Sequence, residues 1–87
     1  MHQRDTVKWF ANYMEHVLLD NDHKGGWRNI PLEELFSRLA NETGELQTEI
    51  NFPEQDMAAI IKECADIANF AMMVADVARK KAEETKK

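Results

Sequence analysis

Apolar residues recur every three or four positions along most of the chain, and the places where that rhythm fails divide it into three predicted helices. Val7, Phe10, Met14, Val17 and Leu18 keep helical spacing and predict a first helix from about Thr6 to Leu19, with Asp5 able to cap its start. The stretch "DNDHKGGWRNIP", residues 20–31, breaks the rhythm. Asn21, Asp22 and the Gly25-Gly26 pair there are turn chemistry. A second helix follows from about Pro31 to Ile50. Proline suits a first helical turn, and Glu33 and Glu34 lie near the positive end of the helix dipole. "NFPEQD", residues 51–56, is the second connection, and the third helix runs from Pro53 or Met57 towards the charged tail "RKKAEETKK", where residues 80–87 are expected to fray.

The third helix has two apolar sides. Met57, Ile60, Cys64, Ile67 and Ala71 form one side of its first half, and "FAMMVADVA" is apolar almost all round. A helix packed on two sides needs more partners than one short chain supplies. The expected fold class is therefore all-α, a three-helix protomer that completes a four-helix-bundle-type core by oligomerisation, as a homodimer or homotetramer. Trp9 and the Met72-Met73 pair read as packing or contact residues of that assembly.

Composition narrows the class. With 87 residues the chain is one domain near the size where a lone core becomes marginal. Cys64 is the single cysteine, so no disulfide can stabilise the chain; it reads as a small buried residue in a reducing, cytoplasmic setting. No apolar run approaches the ~18 residues of a membrane span, and no leader is visible in "MHQRDTVKWF". Sixteen acids against eleven bases, a net charge of −5, argue against a general nucleic-acid binder, which needs a basic surface. A phosphate-bearing small ligand stays open if a cation intervenes.

The acids are oddly placed. Leu32, Leu35, Leu39, Leu46 and Ile50 cluster within ~60° on the second helix, and Glu42 lies only ~20° outside that stripe. Glu49 follows just beyond it and Glu45 further round, so these acids border the core seam. Gly44 between Glu42 and Glu45 costs about 1 kcal/mol against alanine, which suggests a close approach to the backbone there. On the third helix Glu63 and Asp66 repeat the three-residue spacing, and 17 residues separate Glu45 from Glu63, enough for a turn and an antiparallel return. Two readings fit: a solvated acidic face on each helix, or four converging carboxylates that hold a hard divalent cation. Mg²⁺ is the usual choice, with Mn²⁺ as the alternative, where carboxylates meet substrate phosphates. His2, His16 and His23 all precede the acids, so neither a Glu-x-x-His di-iron set nor a zinc site is supported.

"NETGEL" followed by "KECADIANF" resembles the Glu-x-x-Glu, then Glu-x-x-Asp, signature of the all-α nucleoside triphosphate pyrophosphohydrolases, and is most similar to the short MazG-like members. The resemblance implies a Mg²⁺-dependent enzyme that cleaves a nucleoside triphosphate between the α and β phosphates, with Glu42, Glu45, Glu63 and Asp66 as metal-holding and catalytic acids. It also implies that Asn69 lies near the phosphates and that the upstream loop, His23, Lys24, Trp27 and Arg28, helps to hold substrate. Lys24 suits the triphosphate tail or plain solvation; Trp27 suits stacking on a base or capping the bundle. Crowding by like charges is expected to raise one carboxyl pKa and make that group a general base, with Glu45 preferred over Glu42. The competing readings are a phosphoribosyl-ATP pyrophosphohydrolase-like enzyme and a non-catalytic helical oligomerisation or binding module.

Overall fold

The computed structural model describes residues 3–20 and 25–85. Within them are three helices and no strand: α1 (Asp5–Asp20), α2 (Leu32–Asn51) and α3 (Met57–Thr85). Asp5 is the first residue of α1 and not its cap. α2 starts one residue later than Pro31. Pro31 stands at the N-cap with an extended ψ of 146°, and its carbonyl accepts from the amides of Glu34 and Leu35, each at 3.1 Å. The Pro53 start for α3 is displaced by Asp56, whose Oδ1 accepts from the Ala59 amide at 3.2 Å. Gln55 closes the other side of this connection, its amide donating to the Ile50 carbonyl at 2.7 Å. α3 continues as regular exposed helix to Thr85, through most of the charged tail.

α3 is the central element and packs against both α1 and α2. Its two-sided apolar character thus has an intramolecular cause in part, because α1 covers a side that sequence reasoning assigned to a second copy. The most buried residues of α3 are Ala65, Asn69, Asp76 and Val77. At ~100° per residue the first three lie well round the helix from Met57, Ile60, Cys64, Ile67 and Ala71, a row of which Met57 and Ala71 are exposed. Asn69 shows why the seam moved: its Nδ2 donates to the Met14 carbonyl of α1 at 3.2 Å, so α1 docks on a polar position that an apolar-stripe reading passes over.

On α2 the expected stripe is the inward face. Leu35 is fully buried, Leu32, Leu39 and Leu46 are half-buried, and Ile50 at its end is exposed. The expected close approach at Gly44 is not there: a Cβ built on it meets nothing within 4 Å. Gly44→Ala should therefore stabilise the helix by about 0.5–1 kcal/mol, a rise of a few degrees in thermal midpoint measured by circular dichroism. Gly25 is different, because its φ of +87° is one that only glycine adopts without strain.

Candidate functional site

Glu42 and Glu45 stand one turn apart on α2, and the antiparallel return of the chain brings Glu63 of α3 to them. One carboxylate oxygen from each lies within 4.8 Å of the others. Glu42 and Glu63 are half-buried and Glu45 is exposed. Among the described residues none of the three forms an ion pair, and Oε2 of Glu63 is buried with no hydrogen-bond partner. Glu42 carries the electrostatic consequence. Burial first, then carboxyl–carboxyl contacts with Glu63 and Glu45 and their charges, push its pKa up to about 8 from 4.5. The preference for Glu45 as the group so perturbed rested on crowding alone; Glu42 is singled out because it is also the one turned towards the α2–α3 seam.

Asp66 stands apart from this trio. Its Oδ2 lies 3.2 Å from Nζ of Lys62, one turn back on the same helix. That contact holds the Lys62 ammonium above its ordinary pKa, with Glu63 and Glu42 adding attraction. Lys62 is thus a basic partner within the acidic cluster, which the spacing of the acids alone does not take into account. The signal was legible as a lysine four residues before an aspartate on a helix. Arg38, ion-paired to Glu34, was also passed over.

Glu42 and Asp66 line a cavity of about 370 Å³ walled by α1, the 25–30 turn, α2 and α3. Its lining on α3 is ordered: Lys62 and Asp66 come first, then Asn69, Phe70 and Met73. At 1.5 Å per residue this spans roughly 16 Å from a charged end to an apolar end. Arg38 and Glu42 join the lining from α2, and Trp27, Ile30, Val17 and Leu18 complete it. The chamber is thus charged where the carboxylates are and aromatic-aliphatic beyond them. It lies within the common size range of small-molecule sites.

The remaining predicted residues distribute unevenly. His23 and Lys24 lie outside the described residues. Trp27 lines the cavity, while Arg28 points to Asp76 at 3.5 Å and lines only a smaller neighbouring hollow. Asn69 borders the cavity at 4 % exposure. Because its Nδ2 serves Met14, the unpartnered atom is the carbonyl Oδ1. Nδ2 carries a second N–H besides the one given to Met14, so Asn69 offers the cavity a donor as well as the unpartnered acceptor. Asp76 was missed entirely, hidden inside an apolar run.

Three carboxylates are a hard, all-oxygen donor set, and the orphaned Glu63 oxygen and the elevated Glu42 carboxyl are groups that a divalent cation would satisfy. Opposite oxygens about a six-coordinate Mg²⁺ lie about 4.2 Å apart, a little less than the 4.8 Å limit of the trio. The residues fit the ion chemically. The chain matches no family model, no curated protein and no solved structure.

Proposed function

We propose that the protein is a Mg²⁺-dependent nucleotide pyrophosphohydrolase that splits a nucleoside triphosphate between its α and β phosphates, giving a monophosphate and pyrophosphate. The observation that carries this reading is the meeting of Glu42, Glu45 and Glu63, of which Glu42 also lines a cavity that holds Lys62, Asp66 and Arg38. The resemblance of "NETGEL" and "KECADIANF" to the all-α pyrophosphohydrolases points the same way, as does the oxygen-only donor set.

Glu42, Glu45 and Glu63 would hold the ion, with Asp66 joining once Lys62 releases it. Bound there, a divalent cation supplies charge neutralisation for the polyphosphate and acidifies an attacking water. Lys62 and Arg38 are the protein's own cations lining the cavity, and in this reading they turn from Asp66 and Glu34 to orient phosphate oxygens. Without the ion Glu42 is the carboxyl that retains a proton, its pKa pushed up to about 8 by burial and its acidic neighbours; that proton is displaced when an ion is held there, and a carboxylate oxygen left off the ion would accept the proton of the attacking water. Positioning and electrostatics then carry the reaction, with no covalent enzyme intermediate.

A second copy of the chain belongs to this reading. The accessible surface is 6840 Å², whereas a compact monomer of this mass, 10.1 kDa, exposes about 5,300 Å². The excess of about 1,500 Å² per protomer, about 3,000 Å² over two, is on the scale of an obligate homodimer interface. Phe36, Leu19, Met57, Phe52 and Trp9 are each more than half exposed and supply apolar surface for it. No described helix is long and apolar enough to cross a membrane, and soluble nucleotides of the cytoplasm are the substrates this reading selects.

The test is a panel of nucleoside triphosphates, with phosphoribosyl-ATP included, incubated with Mg²⁺ and assayed for pyrophosphate against orthophosphate. Pyrophosphate release that chelation abolishes is expected. Orthophosphate alone would move the cut to the terminal bond and overturn the proposal, and no release from any substrate would favour the non-catalytic helical module.

A further inference from the structure

The apolar end of the cavity is held by one carboxylate that the proposed chemistry does not use. Asp76 is only 8 % exposed. Its Oδ2 accepts the indole N–H of Trp27 at 3.1 Å, across 49 residues of sequence, and lies 3.5 Å from Nε of Arg28. Its Oδ1 accepts from Arg79 at 2.5 Å. Arg79, the Trp27 indole and Arg28 together hold the Asp76 carboxyl below the usual range, so it stays ionised. The two arginines are about two-thirds exposed, and surface pairs of that kind contribute little. The contact that reaches inward is the one to Trp27. It docks the 25–30 turn on α3, and that turn also carries the left-handed Gly25 and a Trp27–Ile30 backbone hydrogen bond of 3.0 Å.

Trp27 has its polar edge committed to Asp76 while the residue borders the cavity with Phe70, Ile30 and Met73. Fixing the indole N–H removes the ring's freedom to rotate, and a fixed aromatic wall binds a second ring at lower entropic cost. The cavity's lining on α3 runs roughly 16 Å from Lys62 to Met73, a length that suits a ligand with a planar ring at one end and phosphates at the other. We propose that Asp76 is a positioning residue that locks Trp27 as the ring-binding wall of the cavity, so that the site selects heteroaromatic nucleotides over ringless polyphosphates. This rests on the nucleotide reading above and adds to it how the ring is recognised.

The experiment compares binding of a nucleoside triphosphate and of inorganic tripolyphosphate, each with Mg²⁺, by calorimetry. Wild-type protein is set beside Asp76→Ala, Asp76→Asn and Trp27→Phe, with helicity checked by circular dichroism. Asp76→Ala should weaken nucleotide binding by about fivefold or more, the scale of one lost base–aromatic stack, and leave tripolyphosphate binding unchanged. Asp76→Asn keeps an acceptor for the indole and should recover much of the loss. Trp27→Phe keeps a ring but not the N–H, and should behave like Asp76→Ala even if the alanine variant fails to fold. Equal weakening of both ligands, or of neither, in the folded variants would overturn the role of Asp76 while leaving the nucleotide reading intact. Wild-type protein that binds tripolyphosphate as well as nucleotide would overturn ring selection itself, and wild-type protein that binds neither would remove the nucleotide reading beneath it.

Discussion

Leu35→Ala is expected to lower stability by about 3–5 kcal/mol, the upper range for truncating a buried leucine. Leu35 is the one large side chain among the described residues with no exposure at all. Domains of this size hold about 4–13 kcal/mol in total, so the loss is a large share of what exists. At 4–8 °C per kcal/mol, the thermal midpoint should fall by roughly 12 °C or more, read from helical ellipticity. Phe36, its neighbour in sequence, is 63 % exposed and sits on the opposite side of the ledger in the protomer. Phe36→Ala should leave unfolding of a dilute protomer within about 0.5 kcal/mol of wild type. If a second copy covers that surface, the same change should weaken self-association in sedimentation equilibrium. A Phe36 variant as destabilised as Leu35→Ala at every protein concentration would place Phe36 in a core that the protomer fold does not show.

The helices were legible because α2 keeps one unbroken apolar stripe from Leu32 to Leu46, and because Asn, Asp, Gly and Pro cluster in the two connections, residues 20–31 and 51–56. What periodicity could not supply was the inward side of α3. Apolar residues surround that helix, so rotation is decided by its polar members, and two of them, Asn69 and Asp76, are buried. A buried polar residue is chosen by the partner it finds: the Met14 carbonyl for one, the Trp27 indole for the other. Both partners are distant in sequence, and nothing local announces them.

The acidic trio was legible from spacing, since two pairs at i and i+3 on antiparallel helices must approach if the connection is short. The fourth acid was not, because whether Asp66 turns to the trio or back to Lys62 depends on a contest within one helix turn. At 18 % exposure Asp66 is sheltered enough for the 3.2 Å Lys62 contact to matter. A cation of higher charge would compete with that ammonium for the same oxygen.

The second large effect is expected at Glu63. Glu63→Gln should keep the fold and reduce Mg²⁺-dependent pyrophosphate release by about a hundredfold or more, equivalent to ~2.7 kcal/mol of transition-state stabilisation. It replaces one anionic donor by a neutral amide and leaves the half-buried position filled. A second readout separates this from a structural fault. With the Glu42 pKa raised to about 8 from 4.5, the folded protein holds a proton there that the unfolded chain gives up. Between those values the native state binds more protons, so this group's effect on stability is least unfavourable below about pH 4.5 and worsens as pH rises towards about 8. Binding of a divalent cation expels the proton, so stabilisation by Mg²⁺ should strengthen over the same interval and level off above it. Glu63→Gln removes one of the neighbours that raise Glu42, so the variant should lose less stability between pH 5 and 8 than wild type while losing the response to Mg²⁺. Thermal melts at several pH values, with and without the ion, measure both quantities. An ion response in the variant equal to that of wild type would exclude Glu63 as a ligand, and full activity would exclude the carboxylate trio as the seat of the reaction.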